Sequence, residues 1–436
     1  MAPVSEEAVT RGQRTHPLTA VVQGALFATA AAVGLVSTIL NGDGWGNLGP
    51  ALSLLVAVVG GLALGMLAGY VSWRFTRYVI DGTELRIDSG VLTKSSRRIP
   101  YERIQSVDIA EPLVARVLGL AELRIEMAGG KNSRTSLKFL RLDDAQALRR
   151  ILLSRAHGEA VSEAPDEQRS IITKVAPERV VIGTLLSLDF LFAAVGSVAL
   201  IVSAIWFGGI VVALGGIIPM ATWLAQIVAQ RVLQQWDFTL SRGERGLRIE
   251  RGLLSRTSQT IPYDRVQGIA IKEPFVWRRF GWQRLEVDVA GYASSPDEQE
   301  NGGASSILLP IADRALAAAV IAELMPRASV DVPRTHAPRR SWPFAPIGWR
   351  FRWIGADEVS FVAHEGWVQQ ITSIVPHPRT QSVELRQGPL QRLRRVATIE
   401  VHTPKGPVNA DGRSLDQADA RAMMLSQLDR ARAARR

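Results

Sequence analysis

The sequence predicts a membrane protein with four transmembrane helices and three copies of a small α+β domain. Three observations support this fold class. A motif of the form Pro-x-x-Arg-x-Gln occurs three times, four apolar runs are long enough to cross a bilayer, and basic residues border one end of each run. The 436 residues are enough for about three domains.

Composition limits the function classes. The chain contains no cysteine, which excludes disulfides and thiolate metal sites. Its net charge of +10 fits nucleic acid, an anionic membrane surface or the cytoplasmic loops of a membrane protein. Because the basic residues are mostly juxtamembrane or interleaved with acids, and no nucleic-acid module is recognised, we expect no nucleic-acid partner.

The first transmembrane hairpin is predicted at residues 18–73, after a polar tail at 1–17. Leu18–Leu40 carries no charge, and a second apolar run, Pro50–Trp73, follows at once. A signal peptide is the alternative. We prefer two membrane helices because the apolar region of a signal peptide is shorter and a mature secreted chain would follow it.

Small residues at a spacing of four line both helices of this hairpin. On the second helix they are Gly61, Gly65 and Gly69. Such ridges let helix backbones approach closely in lipid. Packing within the hairpin is favoured because the neighbouring helix is the nearest partner, and homo-oligomerisation is the alternative.

The second transmembrane hairpin is predicted at residues 180–230, from the runs Val180–Trp206 and Ile210–Gln230. Asp189 lies within the first run. An ionisable residue at membrane depth is costly, which suggests an ion or proton role. The competing interpretation places Asp189 near the inner interface, or in a hydrogen bond to a nearby hydroxyl or helix.

Flanking charge sets the predicted orientation. Lys and Arg border the ends of the apolar runs that face the termini and the repeats, whereas the two turns carry neither. The positive-inside rule therefore places both termini and all three repeats in the cytoplasm.

The repeated motif runs from Ile99 to Val107 in the first copy. It returns from Ile261 to Ile269 and, in a divergent form, from Val375 to Val383. Alternating apolar and polar residues follow, which is the period of a half-buried strand. Each copy closes with a helical pattern, at Leu142–Ala156, Ile311–Met325 and Ser414–Leu428. Several short strands and one C-terminal helix make a small α+β domain.

These motifs resemble the second bacterial pleckstrin-homology-like family, found in YdbS/YdbT-type membrane proteins. The resemblance rests on the Ile-Pro-Tyr-x-Arg-x-Gln core and on the Gly ten residues before its proline, which is Gly90, Gly252 and Gly366. The third copy departs from the pattern, with His377 at the motif tyrosine and Arg395 near a later glycine.

The resemblance implies three pleckstrin-homology-like (PH-like) domains, each a strongly bent antiparallel sheet closed by a C-terminal helix. They are expected at 74–156, 231–326 and 351–430. The segments 157–179 and 327–350 are then linkers, the latter rich in Pro and Arg, and 431–436 is a basic tail. The family implies a multi-pass protein of the bacterial plasma (inner) membrane and no enzyme activity.

The motif Arg and Gln residues are the most specific polar signal in the chain. They are Arg103 and Gln105, Arg265 and Gln267, and Arg379 and Gln381. An anion or lipid headgroup site is one hypothesis, because arginine matches phosphate geometry. We favour a structural role in bracing the following loop, because these residues recur even in the divergent copy.

The sequence contains no recognised catalytic or cofactor motif. None of the six histidines forms a metal-binding H-E-x-x-H pattern, and three of them lie on separate elements of the third copy. We therefore expect no catalytic residue, no cofactor and no metal.

Together these features predict a non-enzymatic membrane scaffold. Its cytoplasmic domains would assemble with a protein partner, with another copy of the chain, or with inner-leaflet lipid. By resemblance, a smaller two-helix family member is the expected partner, and envelope stress or antimicrobial resistance is the expected setting. The alternative is a component of a lipid or ion transport assembly that uses the hairpins and Asp189.

Overall fold

The computed structural model describes residues 13–40, 50–90, 95–127, 134–157, 170–207, 220–243, 246–290, 307–403, 406 and 408–435. They form two compact units, of which the first comprises Met1–Glu167 and Leu254–Gln259. The start of the predicted tail, both hairpin turns and most of the linker at 157–179 lie outside the described residues.

The first unit opens with strand β1 (Gln13–Arg14) and two long helices, α1 (Thr19–Leu40) and α2 (Pro50–Phe75). Arg74 is the first charged residue on either helix. Residues Leu55–Phe75 are long and apolar enough to cross a membrane.

The first repeat follows α2 and has the predicted order of strands and a final helix. Its elements are β2 (Arg77–Ile80), β3 (Glu84–Ser89), β4 (Ser95–Pro100), β5 (Ile104–Pro112), α3 (Leu113–Val117), β6 (Leu120–Met127), β7 (Arg134–Arg141) and α4 (Leu142–His157). Strands β1 to β4 form one antiparallel sheet, and β5 to β7 pair in sequence. Helix α4 closes the fold by packing Leu148 and Leu152 onto buried Ile99, Leu123 and Ile125.

The second unit opens with β8 (Ser170–Lys174) and a bent helix pair, α5 (Pro177–Leu185) and α6 (Leu188–Phe207). The two helices meet at 51° and together are long and apolar enough for one span. The sequence predicts an uninterrupted run here. The break arises because the Ser187 hydroxyl accepts a hydrogen bond from the Phe190 N–H (3.4 Å), as an N-cap does.

Helix α7 (residues 220–228) continues into a π-helical turn, Ala229–Leu233. The second repeat then comprises β9 (Thr239–Arg242), β10 (Gly246–Arg251), β11 (Ser255–Pro262), β12 (Val266–Pro274), α8 (Phe275–Arg279), β13 (Trp282–Val289), β14 (Ile307–Asp313) and α9 (Arg314–Leu324).

The third repeat has the same order of elements. It comprises β15 (Thr335–His336), β16 (Trp353–Ala356), β17 (Ser360–Glu365), β18 (Gln369–Pro376), β19 (Ser382–Arg386), α10 (Pro389–Leu393), β20 (Val396–His402), β21 (Ala410–Asp416) and α11 (Gln417–Ala433). Helices α9 and α11 begin three residues later than predicted because Asp313 and Asp416 cap them, accepting from the Leu316 and Ala418 N–H groups (2.9 Å each). Helix α11 also extends into the predicted basic tail.

Strand β12 joins the second and third repeats into one antiparallel sheet. The order is β14-β13-β12-β18-β17-β16-β15, with Ile371 opposite Lys272 and Ile374 opposite Ile269. The core is continuous across this joint, since Val287 and Val362 belong to one apolar cluster. Strands β19 to β21 form a separate sheet.

The first unit contains a joint of the same kind. Strand β5 pairs on one edge with β6 and on the other with residues Ser255–Ser258 of β11, which belong to this unit. Here Thr257 lies opposite Ala110. These two positions are the repeat equivalents of Ile371 and Lys272, so both joints have the same register.

The third repeat retains the backbone geometry at its departures from the motif pattern. Gly119 and Gly281 both have φ of +67°, and Arg395 stands at the equivalent position with φ of +52°. The Tyr101 hydroxyl donates to the Asp81 carbonyl (2.6 Å), whereas His377 Nε2 lies 3.0 Å from the Asp357 carbonyl oxygen. Since both carbonyls lie at the same point of their repeats, the histidine replaces the tyrosine contact.

The glycines of α2 lie against α1. A Cβ on Gly65 would lie 2.7 Å from Gly24 Cα, and one on Gly69 would lie 2.5 Å from Ala20 Cα. A Cβ on Gly61 would lie 2.9 Å from Ala31 Cβ. These distances are too short for real Cβ contacts, so the glycines allow the two helices to pack closely within the hairpin.

The Gly65→Ala substitution should therefore lower the thermal unfolding midpoint of the detergent-solubilised protein. Gly60 on the same helix is the matched control, because a Cβ there meets nothing within 4 Å. Gly60→Ala should leave the midpoint unchanged or raise it, since alanine is favoured over glycine in a helix by about 1 kcal/mol. Equal effects of the two substitutions would contradict close packing at Gly65.

Candidate functional site

Each motif arginine ends a 3-10 turn that connects two strands of its repeat. The turns are Tyr101–Arg103, Tyr263–Arg265 and His377–Arg379. The motif proline precedes each turn with an extended backbone, which its fixed φ favours. The strand register shifts at Gln105 and Gln267, so each glutamine occupies a β-bulge. The motif spacing therefore encodes a turn followed by a bulge.

The three arginines have different surroundings within their own repeats. Arg103 is exposed, and Arg265 is half-buried with its Nη1 buried and unpaired among the described residues. The Arg379 guanidinium donates to the carbonyl of Asp264, in the equivalent turn of the second repeat. The contact of Arg379 connects its turn to the neighbouring repeat and does not brace the loop that follows it, and the exposure of Arg103 also suits an anion. The two hypotheses for the motif arginines both stay open to test.

A buried carboxyl lies beside the second motif. Asp288 on β13 is opposite Gly268, is 1% exposed, and has a buried Oδ2 with no hydrogen-bond partner among the described residues. In the first repeat the equivalent pair is Ser106 and Glu126, where the hydroxyl donates to the carboxylate (3.2 Å). Glycine removes that donor in the second repeat. Burial therefore raises the pKa of Asp288 to about 7.

Sequence patterns did not identify Asp288 as a special residue. The strand alternates apolar and polar side chains, and the polar face of such a strand is normally taken as exposed. The available signal is the comparison of the repeats, which puts a carboxylate at both positions but a hydroxyl opposite only one.

Asp189 lies in the first turn of α6, directly after the helix break, and its side chain is 56% exposed. The guanidinium of Arg231, held in the π-helical turn, donates to the Asp189 carboxylate. No charged partner for Asp189 is found within the apolar runs of the sequence. The structure provides one in Arg231, just beyond them.

A cavity of about 50 Å³ adjoins this pair, lined in part by Lys272, Trp277 and Arg284. Lys272 pairs with Glu286 (2.6 Å), and the Arg284 guanidinium lies over the Trp277 ring at 5.7 Å. The Trp277 indole donates to the carbonyl of Gly183 on α5 (3.2 Å). This volume is large enough for ordered water. These polar contacts connect the bent helices to the second repeat.

A wider, open cavity of about 310 Å³ lies in the third repeat, with Arg352, Arg386 and Arg413 among its lining residues. Its charges largely pair with one another, as Arg386 does with Glu400 (3.1 Å). Glu384, Glu400 and His402 lie close enough to share a cation. Because Arg386 also lies 3.6 Å from Glu384, ion pairing already accounts for the group. The expectation of no metal stays a prediction.

Comparisons with known proteins confirm the resemblance predicted from the motif. The family described as Bacterial PH domain matches residues 25–156, 187–328 and 306–431. The UPF0699 transmembrane protein YdbT of Bacillus subtilis (strain 168) is 24% identical over 324 residues, which cover 66% of this chain and 64% of that protein. The chain therefore spans less than two thirds of this relative. No solved structure gives a significant match.

Asp288→Asn should remove a pH dependence of stability. The folded pKa of about 7 lies above the value of about 3.9 for an unfolded aspartate, so the neutral carboxyl favours folding. The stability contribution is complete below about pH 4 and is lost as the pH rises through about 7. At pH 8 the variant should be more stable than the parent, by a few kcal/mol at most.

Thermal unfolding across pH 5 to 8 measures this effect, and the advantage of the variant should shrink toward pH 5. Asp331→Asn is the control, since that carboxylate is fully exposed. A pH-independent difference between Asp288→Asn and the parent would contradict a raised pKa for Asp288.

A double-mutant cycle on Asp189 and Arg231 should show a small favourable coupling. Because the Asp189 side chain is more than half exposed, we expect about 0.2–1 kcal/mol. Asp189→Asn and Arg231→Gln should each lower the unfolding midpoint, and the double variant should lose less stability than the sum of the two. Strictly additive losses would show that the two residues do not stabilise the fold as a pair.

Proposed function

The chain belongs to the bacterial PH domain family, and on that premise we propose that it is a non-enzymatic membrane scaffold whose PH-like domains mediate protein assembly. One observation carries the proposal. PH-like repeats already bind one another at two joints within this chain, through edge strands in one register. An interface that the chain uses twice internally is also suited to joining a separate protein.

The proposed layout has four spans and cytoplasmic PH-like domains. The spans are α1, α2, the bent pair α5–α6, and the run 210–230. The apolar helix Leu55–Phe75 and a relative named as a transmembrane protein support membrane attachment. The basic residues that flank the apolar runs support cytoplasmic termini and domains, in the bacterial plasma membrane.

Lipid contact is proposed as a secondary role. Membrane spans insert essentially irreversibly, whereas basic surface residues add only about 1 kcal/mol each and are screened by salt. Exposed Arg103 would therefore help orient its domain on the anionic inner leaflet rather than recruit the protein. A smaller two-helix PH-like protein is a candidate partner, and envelope stress or antimicrobial resistance is the proposed setting.

Transport of lipid or an ion is the second candidate function. It is favoured by a carboxylate, Asp189, at a helix break beside a polar cavity. An Asp189→Asn chain that assembles normally but no longer supports growth under membrane stress would favour transport. Normal growth of that variant favours the scaffold.

The scaffold proposal predicts that the full chain is part of a stable protein complex. We expect the tagged chain, crosslinked in native membranes and then solubilised, to retain a second, differently tagged copy or a specific protein. An unrelated four-span protein at the same expression level is the control for chance collisions. Recovery of single chains alone, identified by mass spectrometry, would refute the proposed assembly role.

A further inference from the structure

We propose that two copies of this chain bind head to tail, with strand β4 of one copy added to the open edge of β19 of the other. The contact repeats the joint that links neighbouring repeats within the chain. The inference rests on the proposed scaffold function and names its surface and its partner.

The internal joints define a rule. In both of them the strand that ends at the motif proline pairs with the strand that follows the motif in the preceding repeat. The strands that end at the motif proline are β11 and β18, and the strands that follow the motif are β5 and β12. Among the described residues the rule leaves one strand of each kind over, namely β4 of the first repeat and β19 of the third repeat. Among the described residues, β4 pairs with β3 alone and β19 with β20 alone.

Burial shows what β19 lacks. In β5, Ser106, Asp108 and Ala110 are all buried, and in β12 Gly268 and Ala270 are buried as well. The equivalent residues of β19 are Ser382, Glu384 and Arg386, and all three are exposed. The strand therefore corresponds to β5 and β12, but no strand in the described part of the chain pairs with its outer edge.

Strand β4 shows the complementary difference. Ser95, Ser96 and Arg98 are exposed, whereas their equivalents in β18 (Ile371, Thr372 and Ile374) are half-buried or buried. The first repeat thus presents one half of a joint at β4, and the third repeat presents the other half at β19.

The register of the internal joints predicts the contacts between copies. Transferred to the open edges, it places Ser95 opposite Arg386, Ser96 opposite Leu385 and Arg97 opposite Glu384. The last pair brings opposite charges together, as the first internal joint does with Arg256 and Glu111. This complementarity, carried by the two open edges of one chain, favours a second copy as the partner.

Charged residues often protect an edge strand against pairing. Here they do not argue against it, because Lys272 occupies the position equivalent to Arg386 and lies inside a formed joint. Both edges belong to domains proposed to lie on one side of the membrane, so the copies need only diffuse laterally. Since different surfaces meet, the contact is heterologous and can extend beyond a dimer.

Disulfide trapping tests the register directly, because the chain has no cysteine. Ser95→Cys and Arg386→Cys are introduced on separately tagged full-length copies, expressed together and oxidised mildly in membranes. Opposed residues in an antiparallel pair lie about 4.5–5.5 Å apart between Cα atoms, within disulfide range. We expect a linked dimer that contains both tags, and a ladder of multimers from a chain that carries both substitutions.

Two further cysteine pairs serve as controls. Lys272→Cys with Ile371→Cys is the same pair of positions in an internal joint and should form a bond within one chain. Ser95→Cys with Ser382→Cys is about 13 Å out of register along the strand and should not link the copies. Equal disulfide yields from the in-register and out-of-register pairs would show that the copies meet only by random collision, which would overturn the proposal.

Charge exchange provides a second measurement that does not require oxidation. Chains with Arg97→Glu alone or Glu384→Arg alone should retain fewer tagged copies than the parent does, by at least severalfold. Chains that carry both substitutions should recover the retention. Within one copy, Arg97 donates to Thr135, and Glu384 lies beside Arg386 and His402. Loss of those separate contacts would not be repaired by combining the substitutions, so absence of recovery counts against the pairing.

The outcomes separate the two proposals. If tagged copies or another protein co-purify but the Ser95–Arg386 pair stays unlinked while the internal pair forms, the edge contact is wrong and the scaffold function stands. A disulfide between positions 95 and 386 of the same chain, with none between chains, would show that β4 and β19 of one copy pair with each other. That result would also overturn the contact between copies. If no protein co-purifies and no bond forms between chains, the scaffold function fails too.

Discussion

The hydrogen-bonding capacity of strand edges is the constraint on which this structure depends. Each repeat divides its strands between two sheets, and the outer strands of each group carry backbone N–H and C=O groups that need partners. Within this chain, the strand that follows the motif in one repeat pairs with the strand that precedes the motif in the next repeat, as β12 and β18 do. The apolar core follows the same joint, because Val287 and Val362 share a cluster across it. Backbone pairing and side-chain burial therefore stabilise the same interface.

The motif that identifies the repeats in the sequence is explained by this architecture. Its proline ends one strand, its arginine ends a 3-10 turn, and its glutamine occupies the bulge from which the next strand starts. The two strands on either side of the turn are those that form the joints with neighbouring repeats. A motif can thus recur because the fold needs it, so its recurrence predicts the domain and does not by itself identify a ligand. The contact of Arg379 with the Asp264 carbonyl fits this structural role.

Local patterns predicted the elements, and long-range contacts escaped them. Strand alternation and the repeated glycines indicated the repeats and their final helices, because both signals arise from neighbouring residues. The pairing of Ser255 with Pro112 joins residues far apart in the chain and has no local signal. The helix break at Ser187 was missed because mean hydropathy over a long window does not register a single serine. In the structure that serine caps the following helix. The partner of Asp189 was missed because Arg231 lies beyond the apolar run.

The buried carboxyl of Asp288 illustrates how assembly constrains a repeat. A Cβ on Gly268 would lie 3.1 Å from the carbonyl oxygen of Ile374, so the approach of β18 favours glycine at a position where the first repeat has Ser106. The glycine lets the third repeat pack closely and removes the hydroxyl that would satisfy the carboxyl. A neutral carboxyl is much less costly to bury than a charged one, which is why the pKa of Asp288 rises to about 7. The close approach of β18 at Gly268 thus accompanies the loss of a hydrogen-bond donor for the buried carboxyl on the neighbouring strand.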